Sequence, residues 1–321
     1  MRIPTSTLHE ALVDLLTSAG ADVPRATAVA DEITYAEACG IKSHGLPMLD
    51  AMLGRAMNDA EPTVKKNTGT ITTVVGNGTL GPYAAKIAMD AAIGSARSHG
   101  LGMATLLNAS TFLTTGYSPW RAANAGLIGF CTSAAAAKVA PYGSIDPIFG
   151  TNPLAMGFPT ADGPIVVDMA ITNLPAAEVR EAAATGESLP AGVAITRDGQ
   201  PTRDPSEALA GAMLTFGGYK GSALAFMIEC LSGALITGAK YGIHDADRGM
   251  LFLAIDPSTF GDGEALAERI AEVASNIANS RPTIAGESPR APGVQARNNW
   301  ERAQSFGVEV SESFASRLGI A

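Results

Sequence analysis

His44 is the residue of this sequence best placed to do chemistry. It lies in Lys42-Ser43-His44-Gly45, a polar turn directly after a helical segment that Gly40 should end, with the Ser43 hydroxyl beside the ring. An imidazole with an unperturbed pKa of ~6.5 can donate a proton near neutrality. A carbonyl or imine that receives hydride at carbon needs such a donor at its oxygen or nitrogen. The same residues also make an ordinary helix exit, and position alone does not separate the two readings. His9, His99 and His244 lack comparable neighbours and read as surface or packing residues. Two glycine-rich stretches could meet phosphate. Gly76-Asn77-Gly78-Thr79-Leu80-Gly81 is a literal GxGxxG between a strand and a helix. The next strand region, Leu101 to Thr111, offers neither an acid for a ribose nor an arginine for a 2′-phosphate, so a plain strand–turn–helix connection is the better reading. In Gly217-Gly218-Tyr219-Lys220-Gly221, Lys220 and freed backbone N–H groups could hold an anion, or the segment is a tight turn before a buried helix.

The elements that would position these groups follow from periodicity. Thr7 and Glu10 have capping-box spacing, and Leu12, Leu15 and Leu16 continue as a helical face. Pro24 opens a second helix that runs to about Cys39, and a further helical segment follows Gly45 to Met57. Strands are expected over 71–75, 101–107, 127–132, 165–168 and 250–255, and helices over 82–99, 222–239 and 264–279. Residues 140–152 are turn-rich, 186–205 form a polar excursion, and 281–297 loop before a helical tail. Helical ends around a mixed middle predict an α/β (α+β) protein. One domain is expected from 1–70 with 263–321, and a second from 71–262.

Composition narrows the classes. A net charge of -9 and a pI near 5.0 argue against nucleic acid and anionic membrane surfaces as partners. The most apolar stretch, Ser222 to Ala239, is interrupted by Glu229 and reads as a buried helix, not a membrane span. Met1 to Thr7 lacks the basic start and apolar run of a signal peptide. Cys39, Cys131 and Cys230 are far apart without a CxxC pair, which predicts buried thiols and no metal site. A cytoplasmic protein is expected. Low charge and 35 glycines suggest surface buried against another subunit.

Four segments in order resemble the malate/L-lactate dehydrogenase type-2 family. They are Ser43-His44-Gly45, then Val139 to Gly143 with Gly150 to Ala155, then Val167-Asp168-Met169-Ala170, and Gly217 to Ser222. The family includes sulfolactate dehydrogenases and a branch that reduces Δ1-piperideine-2-carboxylate and Δ1-pyrroline-2-carboxylate, which Gly217 to Ala225 resembles most. The resemblance implies a non-Rossmann fold with a predominantly antiparallel mixed sheet, flanked by helices from both termini. It also implies a homodimer with its site near the interface, and it removes the GxGxxG from the cofactor site.

The resemblance implies that His44 is the proton donor, with Ser43 and a relay acid that falls on Glu178 where relatives have Asp. Glu178 could equally be the solvated start of a polar helix. Thr151 and Asn152 would lie near the substrate, unless they only cap the turn before Pro153. Met48 stands where relatives hold the substrate carboxylate with an arginine. Either Lys42 substitutes or the substrate presents an apolar group there. Thr111, Phe112, Leu113, Thr114 and Thr115, then Asp168, Met169 and Ala170, Tyr219 and Lys220, and Gly293 and Arg297 would surround the dinucleotide. Relatives have His-Phe where this chain has Thr111-Phe112. Arg297, with Arg290, favours NADPH over NADH. The implied activity is NAD(P)H-dependent reduction of a C=N or C=O bond in a small 2-oxo-acid-like molecule. The alternatives are a 2-hydroxyacid dehydrogenase working toward oxidation, or a dinucleotide-binding homologue without turnover.

Overall fold

A computed structural model describes residues 1–237, 249–284 and 286–320; His244 and the end of the helix expected over 222–239 lie outside them. From the N-terminus, β1 (Arg2–Ile3) leads into α1 (Thr5–Ser18) and α2 (Val23–Cys39). Two 3₁₀ turns, Lys42–His44 and Leu46–Met48, precede α3 (Leu49–Leu53). Then come β2 (Thr63–Asn67), β3 (Ile71–Val75), α4 (Gly81–His99), β4 (Leu101–Leu107), α5 (Tyr117–Asn124) and β5 (Ile128–Ser133). The middle holds β6 (Val139–Ala140), β7 (Leu154–Phe158), β8 (Ile165–Met169), α6 (Ala176–Thr185), β9 (Ala194–Ile195), β10 (Pro201–Thr202), α7 (Pro205–Ala210) and β11 (Ala212–Leu214). α8 (Tyr219–Ile228) runs into a π-helical turn, Glu229–Ala234, and α9 (Leu235–Thr237). β12 (Gly249–Ile255), α10 (Gly263–Ala278), α11 (Val294–Phe306), β13 (Val308–Glu309) and α12 (Glu312–Arg317) complete the chain.

Contacts divide these elements into two units, Met1–Cys131 with Ala155–Asp168 and Phe252–Ala321, and Thr132–Leu154 with Met169–Leu251. The division differs from breaks at 70 and 262, because α4 and β3 pack with elements from the first seventy residues and the C-terminal segments return to them. The first unit is built on a seven-stranded mixed sheet of order β2-β3-β4-β12-β5-β7-β8, with β2 antiparallel and β4 parallel to β3. Both chain ends share one core. Leu8, Leu12 and Leu16 of α1 meet Val29 and Ile33 of α2, Leu49, Met52, Ala303 and Val308, while β1 pairs antiparallel with β13. Arg25 is buried in α2. It donates to the Asp59 and Ala60 carbonyls (2.8 and 2.9 Å) and to Thr79 Oγ1 (3.2 Å), and it pairs with Glu61 (2.7 Å) and Asp22. The second unit packs Phe149, Ile171, Val179, Leu189, Met213 and Ile228 around a sheet of order β10-β9-β11-β6.

Several local expectations shift. α1 starts at Thr5 behind Pro4 with no side-chain cap, so Thr7 and Glu10 form no capping box. The segment after Gly45 is a 3₁₀ turn and one short helix, because Gly45 leaves helical geometry (φ -96°, ψ -128°) and Pro47 lacks an N–H. The apolar stretch from Ser222 is not a fully buried helix. Phe226, Met227, Leu231 and Leu235 are exposed, and Cys230 lies exposed among them, unlike the buried Cys39 and Cys131. Among the described residues, no helix is long and apolar enough to cross a membrane.

Candidate active site

The Ser43–His44 turn is set by the end of α2. Gly40 takes the left-handed conformation (φ +81°) that stops the helix, and Lys42–His44 then forms a single 3₁₀ turn. His44 Nδ1 lies 2.7 Å from Ser43 Oγ. Glu37, buried on the last turn of α2, staples the loop from below. Its Oε1 accepts from Leu46 N and its Oε2 from Lys42 Nζ, each at 2.8 Å. The Lys42 ammonium is thereby committed to a carboxylate of the chain. Met48, at the end of the second 3₁₀ turn, packs against the helical core. A Cβ at Gly45 would run into the Glu37 carboxylate. We therefore expect Gly45→Ala to push the staple aside and shift the imidazole. Turnover should fall on the order of 10²-fold, as for small misplacements of a reacting group, with cofactor affinity preserved. Steady-state kinetics with a cofactor titration check this.

A second constellation holds the loop that follows β4. Glu32, buried in α2, accepts from Leu113 N (3.1 Å) and Thr114 N (2.5 Å) with one carboxylate oxygen. Asp168, near the end of β8, accepts from Thr114 Oγ1 (2.9 Å) and Gly116 N (2.8 Å). Two carboxylates therefore clasp one four-residue loop. Loss of hydration pushes the Glu32 carboxyl up to about 8, against the two backbone N–H bonds that hold it down. The same cause raises Asp168, which remains accessible but is closely surrounded by protein. Leu113, Thr114 and Thr115 are buried, whereas Thr111 and Phe112 are half-exposed. Sequence reasoning missed Glu32, although it occupies the apolar face of α2 with Ala28, Val29, Tyr35 and Ala36, all buried.

The same stretch closes the GxGxxG. Gly78 N donates to the Asn108 carbonyl (2.7 Å), and Gly81 N, a first N–H of α4, donates to Ser110 Oγ (3.0 Å). A Cβ on Gly81 would press on the Thr111 and Ser110 carbonyls. These glycines give residues 108–112 room to lie over the turn, and the helix N-terminus that an anion would need is already bonded. Further along, Gly293 (φ +79°) starts α11 so close to the Val166 carbonyl that no Cβ fits. One turn on, Arg297 Nε is buried without a hydrogen-bond partner, and the Glu301 carboxylate is 3.9 Å away.

The remaining candidates lie on the second unit. Asn152 is buried in a left-handed conformation (φ +37°) with its amide used by the chain. Its Oδ1 accepts from Ala135 N (3.2 Å), and its Nδ2 donates to Glu229 Oε1 (2.9 Å) and the Ala225 carbonyl (3.3 Å). Glu229, first residue of the π-helical turn, also accepts from Gly150 N (3.3 Å). Thr151, between two residues anchored to Glu229, is half-buried. Gly217 and Gly218 are both left-handed (φ +60° and +59°), a pair that only glycine adopts without strain. They turn the chain into α8, whose first residues, Tyr219 and Lys220, are exposed. Met169 is exposed, Ala170 half-buried, and Glu178 exposed in the first turn of α6. The candidate residues thus form two groups, one on each unit.

A proton-donor turn, a clasped backbone loop and a glycine–lysine turn on a mixed α/β frame suit a dehydrogenase, and comparison with known proteins makes that class definite. The sequence matches the malate/L-lactate dehydrogenase family over residues 3–319. It is 32% identical over 320 residues to a malate/(S)-sulfolactate dehydrogenase of Methanothermus fervidus, covering 96% of this chain and 93% of that one. It is also 32% identical over 333 residues to a Delta(1)-pyrroline-2-carboxylate reductase of Ancylobacter novellus, covering 99% and 96%. The solved sulfolactate dehydrogenase of Methanocaldococcus jannaschii superposes with a TM-score of 0.87 at 29% identity, covering 99% and 95%. The chain belongs to the malate/L-lactate dehydrogenase family and is an NAD(P)-dependent oxidoreductase.

Proposed function

We propose that this protein is an NAD(P)H-dependent reductase of a C=N or C=O bond in a small 2-imino- or 2-oxo-acid-like substrate, with His44 as proton donor. The observation that carries the reading is the 2.7 Å contact between Ser43 Oγ and His44 Nδ1, on a turn stapled by buried Glu37. When the hydroxyl donates to Nδ1, the imidazole's own proton resides on Nε2, ready for a substrate heteroatom. Glu178 serves as the relay acid in this reading. Thr151 meets the substrate, Asn152 and Glu229 fix the segment that presents it, and Met48 with Lys42 borders the substrate.

The bound dinucleotide supplies hydride. The chain's own residues suit it: the orphaned Arg297 Nε is a donor awaiting an acceptor, and the clasped loop offers the accessible Thr111 and Phe112. Leu113, Thr114 and Thr115 back that loop, and Asp168, Met169, Ala170, Tyr219, Lys220 and Gly293 complete the set. Arg297 favours NADPH over NADH. The hydrogen bond from Gly81 N to Ser110 supports a non-Rossmann mode. The exposed apolar side chains of α8 and the turn after it support a cytoplasmic homodimer with its sites near the interface.

The test is a panel of Δ1-pyrroline-2-carboxylate, Δ1-piperideine-2-carboxylate, 2-oxo acids and 2-hydroxy acids with both nicotinamide cofactors, followed by cofactor absorbance. Turnover of an imine with NADPH is expected. Silence on every imine and 2-oxo acid with turnover of malate or sulfolactate would replace this reading with the 2-hydroxyacid dehydrogenase one, which relatives named for those substrates favour. Cofactor binding with no turnover of any compound would leave the non-catalytic homologue.

A further inference from the structure

We infer that the aromatic pocket of the first unit, walled by Trp120, Trp300 and Tyr35 beside Arg297, seats a purine nucleotide, with the base against the indoles and a phosphate on the guanidinium. The inference rests on the proposed cofactor use and assigns one half of the dinucleotide to this pocket. The cavity has a volume of about 180 Å³, room for one fused-ring base and not for a whole dinucleotide. Its walls are flat rings already in mutual contact, Trp120 to Trp300 at 4.9 Å and Tyr35 to each indole at 5.4 and 5.9 Å. Both indoles are half-exposed while Tyr35 is buried behind them, so π-surface faces the opening.

Polar groups are placed for a nucleotide and not for a plain hydrocarbon. Arg297 Nε is buried and unbonded at the wall, which leaves a donor that a ligand oxygen would satisfy. Asp162 and Asn124 at the rim can accept from an exocyclic amine, as adenine carries and a nicotinamide ring does not. Gly163 and Gly293 bring backbone close to the rim, with left-handed φ of +94° and +79°. No charged group of this pocket is shared with the Ser43–His44 turn.

The chain's two tryptophans are the two on this pocket, so any ligand that enters reports itself in the intrinsic emission. The experiment titrates the full-length protein with AMP, adenosine 2′,5′-bisphosphate, adenosine and nicotinamide mononucleotide, with excitation beyond purine absorption. NADPH and NADH binding is measured separately by calorimetry. We expect AMP and adenosine 2′,5′-bisphosphate to change the emission saturably and to be displaced by the full cofactor, while nicotinamide mononucleotide leaves it unchanged. Arg297→Gln, which leaves the indoles in place, should weaken AMP about tenfold and adenosine little. Trp300→Phe, checked by circular dichroism, should lower the signal and weaken adenosine.

Calorimetric NADPH binding without any adenine-dependent change in emission, or a change driven by nicotinamide mononucleotide, overturns the pocket assignment and leaves the proposed function standing. The absence of NADPH and NADH binding altogether, with AMP still altering emission, instead removes the proposed function while the purine site stands.

Discussion

Replacing His44 by alanine lowers kcat about 10³-fold while the affinity for NAD(P)H stays within about twofold, because proton donation in a transition state contributes typically 10²–10⁴-fold. The selectivity of the loss is the informative part. His44 sits on a 3₁₀ turn held by Glu37, and neither its ring nor Ser43 contributes to the loop clasped by Glu32 and Asp168. Removing the imidazole therefore leaves the cofactor loop intact. Ser43→Ala should give an intermediate loss, since it frees Nδ1 to take the proton and reduces the fraction of the ring in the donating tautomer. The pH profile of kcat/KM should lose its limb near the imidazole pKa in His44→Ala. Unchanged turnover of this variant on a confirmed substrate would end the assignment.

Glu32→Ala should destabilise the fold by about 3 kcal/mol and weaken cofactor binding at least tenfold, because two buried backbone N–H groups lose their acceptor and the loop loses one of its two clasps. Glu32→Gln keeps an acceptor oxygen of the same shape and should recover most of both. The pH dependence follows from the direction of the shift. The carboxyl is raised from about 4.5 to about 8 in the fold, so between those values the folded chain holds a proton that the unfolded chain has released. Stability from this group is greatest at low pH and falls as pH rises through that window, by up to ~1.4 kcal/mol per pH unit, then levels above it. Asp168, also raised, adds a slope of the same sign. Denaturant midpoints across that window should fall more steeply for the wild type than for Glu32→Gln. Equal slopes would mean that Glu32 is ionised in the folded protein, and the protonated clasp would be wrong.

What could be read in advance was what neighbours in the chain decide. Gly40 ends α2 because it alone takes the left-handed φ without strain, and β3 and β4 match their expected bounds because β-branched and apolar runs are bounded by turn residues. The Ser43–His44 pair and the Gly217-Gly218 turn belong to the same kind, being contacts and dihedrals between adjacent residues. Strands of two or three residues were not legible, since β1 exists only because β13 lies beside it more than 300 positions away.

Three features of the site were decided by tertiary packing. Glu32 looked like an acid out of place on an apolar helix face until the 113–116 loop arrived to donate to it. Asn152, an expected substrate contact, turns inward because Glu229 and Ala135 reach it from distant segments. The aromatic pocket gathers residues 35, 120, 297 and 300 from three helices. The sequence alone determined which groups can exchange a proton and where the backbone must turn, since those are properties of single residues and their immediate neighbours. Only the folded chain decided which buried charges find partners, because desolvation and hydrogen bonding depend on segments that meet in space and not in sequence.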